Sequence, residues 1–567
     1  MRRMSDRTHL LLNAAVHAID DRRTRAEAIA WRDGRVLAVG PSAVVAEAAG
    51  PEAIAIDLQG RTVLPGFIDP HHHPCIVALY GGALRLTAPA VTDITSLQRT
   101  LAERAEITPK GEWIVATEWD EHLLREQRPP TRSELDDAVP DHPLFALHYT
   151  CHRGAANSRA LDEAGIGKDS PDPSGGEIVR GRDRIPTGIL LERAMSPVER
   201  RARASLVARD PEGFLGRLGA HHRALAAAGI TRVIDATVPA DLVTLYREAS
   251  RRGLLLVPTV MMPVSTQGYL EAPWEALDGP PTGESAGDLL VIGPVKLVFD
   301  GAPGCAMCLG WLQTAGIFLR ACAMAVEQGS LDALRTTMSV APRLGAQIRT
   351  GIQIYRREEA NTIVRAATDR GFSVATHAIG NEAIAIALDA YEAVGASLSR
   401  HGMPRIEHAT FLDPGLVARI AGVGAAVVTQ PYFVKLPAFA SLASIPGVRN
   451  APLRWLLDAK VLVSGSSDYP VAGFEPLAAI AAAVSRTTTR GDVYEADQRI
   501  SIDEAIALYT RNAAAATDAL SQCGTLEVGK RADLVVIDGS VADVDSIAAA
   551  RVRATVIGGT VAFGSLD

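Results

Sequence analysis

The chain has 567 residues, more than a single hydrophobic core organises, so two or three domains are expected. With 47% hydrophobic and 22% charged residues it has the balance of a soluble globular protein, and a net charge of −8 argues against a nucleic-acid binder, which needs a basic face. Six cysteines make no disulfide scaffold in so long a chain, and Cys305 and Cys308 form a lone CxxC without the second pair of a zinc ribbon.

The opening segment, MRRMSDRTHLLLNAAVHAID, shares a basic start and short apolar run with signal peptides. Its pattern continues into regular strand-like runs, so it reads as a first β-strand, and a cytoplasmic soluble protein is expected. AIAWRDGRVLAVG pairs two runs around Asp33-Gly34, a hairpin signal, and AIAIDLQGRTVLPG repeats the idea around Gly60. The end of the chain matches: ADLVVIDG, then RVRATVIGGTVAFG turning at Gly558-Gly559. The sequence therefore predicts one small β-sandwich assembled from residues 1–62 and 515–567.

Between the two ends, strand and helix patterns alternate, which implies parallel βα units. Eight apolar strand candidates stand at 63–69, 231–237, 254–260, 295–301, 373–380, 405–410, 425–431 and 461–468. Eight such units close a TIM-like (β/α)8 barrel over 63–514, with reactive groups at the strands' C-terminal ends. Residues 80–220 carry strand-like runs of their own (WIVATEWD, LFALHYTCH) and predict an inserted subdomain after the first strand. A second, apolar insert spans 302–352. Its 308–326 stretch is the most membrane-like window, but Gln313 and Arg320 would be costly in lipid. It is expected to be a lid or subunit contact beside the pocket, with no membrane partner and a homo-oligomer as one outcome.

Chemistry concentrates in PGFIDPHHHP. His71 and His73, two apart at a strand end, present both imidazoles to one side, and imidazole suits zinc and similar metals. Lys296 lies between apolar pairs in VKLVFDG, and a buried lysine is rare unless paired or modified. His377 ends SVATHAIG, His408 lies in RIEHAT, and Asp468 ends VLVSGSSDYP, each after an apolar run. One such histidine is ordinarily structural; six polar groups on five strand ends make a metal site.

These motifs resemble the amidohydrolase superfamily, in particular its metal-dependent hydrolase branch that includes N-substituted formamide deformylase. The resemblance runs over nearly the whole chain: PGFIDPHHHP, VKLVFDG, THAIGNEAI, RIEHA and GSSDYPV, then GTLEVGKRADLVVID, with HRGAANSRALDEAGI and PTGILLERA in the inserted segment. It implies two divalent ions, zinc foremost, one held by His71, His73 and Asp468 and the other by His377 and His408. Lys296, carboxylated by carbon dioxide, would bridge them. Two metals flanking a water would lower its pKa, with Asp468 as general base and acid toward a small-molecule substrate.

The sequence departs from the family pattern at Asn381, where an acidic residue is expected, and after Asp300-Gly301. His72 should face away from its neighbours. His152 and Gln430 are candidate substrate contacts, whereas Met261 and Met262 read as core filling or pocket lining. His9, His17, His122, His142, His221, His222 and His401 are expected on surface segments. The implied activity is hydrolysis of a non-peptide C–N bond in an N-substituted amide, formamide or lactam. An ester or lactone hydrolase would use the same site, and a metal-binding regulator would not need Asp468.

Overall fold

The computed structural model of the chain describes residues 7–268, 270–278, 289–301, 305–328, 345, 347–436 and 444–567. Asp33 and Gly34 both take positive φ (52° and 74°), the two-residue turn whose twist suits a hairpin, between strands Ala28–Arg32 and Arg35–Gly40. Gly558 and Gly559 (55° and 79°) do the same between Arg551–Ile557 and Thr560–Gly564. The N-terminal run forms strand His9–Leu12, paired antiparallel to Ala28–Arg32 and parallel to Ile54–Asp57. A six-stranded sheet combines Ala15–His17, Arg25–Ala26 and Thr62–Pro65 with Leu534–Asp538, Arg551–Ile557 and Thr560–Gly564, so the chain ends share one sheet. Leu11, Ile29 and Trp31 of the first sheet pack against Val63, Val536 and Val556 of the second.

Eight parallel strand positions follow. Phe67–His72, Ile230–Pro239, Thr259–Val264 and Leu290–Ile292 form one sheet; Val295–Val298, Val374–Ala378, Arg405–His408, Ala426–Thr429 and Val463–Gly465 form the other. The fourth strand belongs to both. Its first part pairs with Thr259–Val264, it breaks at Gly293-Pro294, where proline has no N–H to give, and its second part pairs with Val374–Ala378. On the far side, Asp468 N donates to His71 O (2.9 Å), joining the last strand's end to the first.

Two boundaries differ from the sequence expectation. The run 63–69 is two strands: Thr62–Pro65 lies in the terminal sheet, and Phe67–His72 in the parallel array. Gly66 is the hinge, because a Cβ there would stand 2.2 Å from the Thr231 side chain of the adjacent strand. The third strand is Thr259–Val264, later than the expected 254–260, since Leu254–Pro258 is spent returning from helix Val243–Arg251.

Within the inserted stretch a six-stranded mixed sheet orders Gly176–Arg180, Pro186–Glu192, Arg153–Ala156, Leu144–His148, Ile114–Trp119 and Leu84–Arg85, around a core including Leu97, Trp119 and Leu191. The helix Pro211–Ala227 belongs instead with the parallel array: its Phe214, Leu218 and Leu225 share the main core with Phe67 and Val233. The second insert lies partly outside the described residues. Of it, Trp311–Gln328 is a helix, and among the described residues no helix is long and apolar enough to cross a membrane. None of the six cysteines forms a disulfide, Cys305 and Cys308 included. Residues 305–309 lie over the end of the fifth strand: Asn381 accepts from Cys308 N (2.8 Å) and donates to Cys308 O (2.9 Å). An aspartate at 381 could accept but not donate, which gives the departure a physical reason.

The two folding units meet at Gly301. A Cβ there would lie 2.1 Å from the Glu192 carboxyl, which closes the inserted sheet's strand Pro186–Glu192. Gly301→Ala is expected to lower stability by about 1–3 kcal/mol, as overpacking does, read as a fall in melting temperature. An unchanged melting temperature would show that Glu192 moves aside freely.

Candidate metal centre

The six candidate residues converge where the parallel strands end. His71 is the penultimate residue of its strand, His377 sits near the end of its own, His408 closes a third, and His73 and Asp468 follow strand ends. Lys296 lies deeper: it pairs with Ala375, whereas His377 pairs with Glu407 and Ala378 with His408. Two residues of strand are about 7 Å, and the four-carbon stem spans that gap, bringing Nζ to 3.3 Å from His71 Nε2.

Ligand atoms of His71, His408 and Asp468 all lie within 4.8 Å of one another. His73 Nε2 is 2.9 Å and His71 Nε2 3.3 Å from Asp468 Oδ1. The His377 and His408 rings are 4.4 Å apart and those of His71 and His408 4.8 Å. His408 and Asp468 hold positive φ (71° and 57°), unusual for residues with a Cβ and typical of strained functional positions.

Neighbouring groups decide which nitrogen faces inward. Glu407, fully buried, takes His71 Nδ1, and Arg405 Nε donates to its other oxygen (2.9 Å) while Arg405 also reaches Pro70 O (3.3 Å). A carboxylate only accepts, so His71 Nδ1 carries the proton and Nε2 offers its lone pair. Gln430 Nε2 donates to Ser466 Oγ (2.9 Å), whose hydroxyl donates to Thr429 O (3.1 Å). That sets the Gln430 amide with Oε1 toward His408 Nδ1 (2.8 Å), leaving His408 Nε2 as the lone pair. Both Gln430 amide ends are thus engaged in orienting His408. Glu407 and Arg405 were not singled out from the sequence, although three ionisable residues within the four-residue strand RIEH carry the signal.

Burial drives His73 down to about 4 and His408 to about 3, and pushes His377 far below its ordinary value, so these rings are neutral, as ligation requires. His71 goes the other way: burial and Lys296 oppose its protonation, but Glu407 and Asp468 outweigh them. Burial lowers the Lys296 ammonium to about 8 despite nearby Glu407 and Asp468. Burial would raise Asp468, yet the bonds from His71 and His73 win and hold it well below the usual carboxylate range.

His152 arrives from the inserted sheet with its ring 5.4 Å from that of His377, and its Nδ1 meets both Glu192 oxygens (3.1 and 3.0 Å). His72 does face away: its Nδ1 meets Asp69 and Ser467 (both 2.9 Å) and its Nε2 the Nε2 of His221 (2.7 Å). Hence His221 is buried, as are His222 and His142, contrary to the surface expectation; helix Pro211–Ala227 turns His221 and His222 onto the array. His9 and His17 are half-buried, whereas His122 and His401 are exposed. Met261 and Met262 are buried in the core. Asp300, four residues beyond Lys296, accepts from the backbone N–H groups of Ala306, Ile379 and Gly380 (2.8–3.0 Å).

Parallel βα architecture with histidines, a lysine and an aspartate gathered at strand ends defines a hydrolase class. The sequence profile of the amidohydrolase family matches residues 55–563, and the chain belongs to that family; it is a hydrolase acting on carbon–nitrogen bonds. N-substituted formamide deformylase of Arthrobacter pascens is 31% identical over 535 residues, 93% of each chain. Protein LONG AFTER FAR-RED 3 of Arabidopsis thaliana is 27% identical over 573 residues, 97% of this chain and 90% of its own. Among solved structures, an uncharacterized metal-dependent hydrolase from Pyrococcus horikoshii OT3 superposes with a TM-score of 0.67 at 23% identity, covering 94% of this chain and 98% of that one. That likeness is one of fold.

Glu407→Gln is expected to weaken metal binding about 10–100-fold with the fold retained, because an amide holds His71 less firmly and in an ambiguous tautomer. Equilibrium dialysis would show it; unaltered affinity would leave Glu407 a purely structural role.

Proposed function

We propose that this chain is a metal-dependent hydrolase of a non-peptide C–N bond in a small molecule, an N-substituted amide, formamide or lactam. In this reading a (β/α)8 barrel begins at strand Phe67–His72 and runs to about 514, with an inserted subdomain from about 80 up to helix Pro211–Ala227 and an apolar insert at about 302–352, and the two chain ends, Thr62–Pro65 included, form one β-sandwich. The observation that carries the reading is that His377 Nε2 and His408 Nε2 are buried without a hydrogen-bond partner, on rings 4.4 Å apart, facing a carboxylate and a lysine. Orphaned buried nitrogens are costly, and divalent cations would satisfy them. The donor set fits such ions, zinc first: His71, His73 and Asp468 would hold one, His377 and His408 a second, with Lys296 between them as its carbamate.

Bound there, the ions supply Lewis acidity that polarises a carbonyl and eases deprotonation of water. The chain's own groups do the rest. Glu407 and Gln430 fix the ring orientations of His71 and His408, so no reorganisation is needed during reaction. Asp468, a carboxylate at working pH, takes the proton of the attacking water on Oδ and returns it to the departing nitrogen. An amine is a poor leaving group until protonated, which is why a shuttle matters more for amides than for esters. The Arthrobacter relative, named for N-substituted formamides, supports the amide reading.

The test is a panel of N-alkyl formamides, acetamides and lactams with matched esters, run on zinc-loaded and chelator-treated protein. Amide turnover that vanishes with the metal is expected. Ester-only turnover would favour the second reading, and turnover surviving chelation would reject the metal centre.

A further inference from the structure

Glu192, the last residue of strand Pro186–Glu192, stands opposite His152, because Arg153 pairs with Leu191 and Glu192 N donates to His152 O (3.2 Å). Its place is over-determined. The backbone takes a positive φ (50°), which is costly for a residue with a Cβ. The carboxyl packs against Gly301, where no Cβ would fit, and the side chain has no exposure. Both of its oxygens meet His152 Nδ1 (3.1 and 3.0 Å). A carboxylate so deeply buried needs a counter-charge, and an imidazole supplies it when both ring nitrogens carry protons. His152 is the more open partner, its side chain 21% exposed and its ring 5.4 Å from that of His377. With Nδ1 taken by Glu192, Nε2 lies on the opposite edge of the ring, and among the described residues it has no hydrogen-bond partner. What the strained frame secures is the direction of one N–H beside the histidine cluster.

We propose that His152 is a catalytic residue whose Nε2–H holds the oxygen of the scissile carbonyl as negative charge gathers there, with Glu192 the positioning residue that aims it. The inference deepens the hydrolase reading and rests on it. When water attacks a carbonyl carbon, the π electrons move onto the oxygen, and a donor fixed in advance stabilises that charge without reorganising. The leaving nitrogen is the other place a donor could act, but in this reading Asp468 already serves it. The opposite polarity, a neutral ring whose Nε2 accepts an amide N–H, would leave the buried Glu192 charge uncompensated. The two polarities are separable, because amides and esters all have the carbonyl oxygen and only secondary amides have the N–H. The inserted sheet then takes part in the chemistry rather than merely covering it.

Three substitutions separate this role from a structural one in the metal-loaded protein. His152→Leu removes both nitrogens and should lower kcat by about 10²–10³, the usual cost of one such donor, with KM changed far less and metal content unchanged. His152→Asn places its amide near the Nδ1 position, so it can keep the bond to Glu192 but cannot reach the substrate; it should be as poor as the Leu variant. His152→Gln extends its amide to the Nε2 position and should recover part of the rate. Secondary amides, their N-methyl counterparts and matched esters should all lose rate together. A second readout needs no turnover: methylphosphonate, a tetrahedral anion, should bind the Leu and Asn variants about tenfold or more weakly by calorimetry. Should the Leu variant fail to fold, the Asn and Gln pair still decides. An active Asn variant beside an inactive Gln variant would make the role structural, and losses confined to secondary amides would make Nε2 an acceptor. Either result, unchanged methylphosphonate affinity, or loss of metal from the variants would overturn the proposal. A wild type that hydrolyses no amide or ester, yet binds methylphosphonate through His152, would sink the hydrolase reading and leave the oxyanion-binding donor standing.

Discussion

Asp468→Asn should lower kcat by about 10²–10⁴, the usual contribution of a positioned acid–base group, while the protein stays folded. The side chains are nearly the same size, and the backbone bond from Asp468 N to His71 O does not involve the carboxyl, so the strand junction survives. What changes is chemistry. The carboxylate lies 2.9 Å from His73 Nε2 and 3.3 Å from His71 Nε2, and no other acid approaches both rings so closely among the described residues. An amide takes no proton from water at neutral pH and has none to give a departing amine. The loss should be larger for amides than for matched esters, whose leaving groups need less help. Steady-state kinetics on both classes, with metal content measured on the same samples, is the check. An Asn variant that works at nearly the wild-type rate would assign the proton transfer to another group.

Lys296→Ala should cost more: at least one ion leaves, and turnover falls below about one thousandth. An ammonium at this position is desolvated, and beside two divalent cations it would be repelled by several kcal/mol even with generous screening. Carboxylation resolves the conflict. The ammonium first sheds a proton, the neutral amine adds to the carbon of carbon dioxide and releases a second proton, and the former cation becomes an anion with two oxygens. Burial assists by lowering the lysine to about 8, so the neutral amine is accessible near physiological pH. Because truncating so long a buried stem opens a cavity, Lys296→Met serves as the volume-keeping control. Both variants should be metal-poor, and bicarbonate or a short carboxylate such as acetate should partly restore the Ala variant. Full metal content in both would reject the bridge.

Much of this architecture is legible from the residues because its signals are local. A two-residue Asp-Gly or Gly-Gly turn dictates a hairpin whatever surrounds it, and an apolar run ending in a histidine reads as a strand end bearing a ligand. Gly66, by contrast, divides one apolar run between two sheets, and nothing in VLPGFID says so; the reason is the Thr231 side chain, which donates to Phe67 O across 164 residues of sequence. The buried histidines were misplaced for the same kind of reason. His221 lies on a helix like many others, and its contacts with His72, Tyr469 and Phe474, all distant in sequence, explain its burial. Glu407 is the instructive omission: three ionisable residues in the four-residue strand RIEH are visible, but its partner, His71, is 336 residues distant.

Metal stoichiometry of protein purified without a metal-chelating tag bears most directly on the central claim. Wild-type chain should carry two divalent ions, and His71→Ala and His73→Ala should each lose metal together with turnover while keeping the far-ultraviolet circular dichroism of the folded protein. Full metal occupancy in both histidine variants, or an active wild type free of metal, would contradict the account.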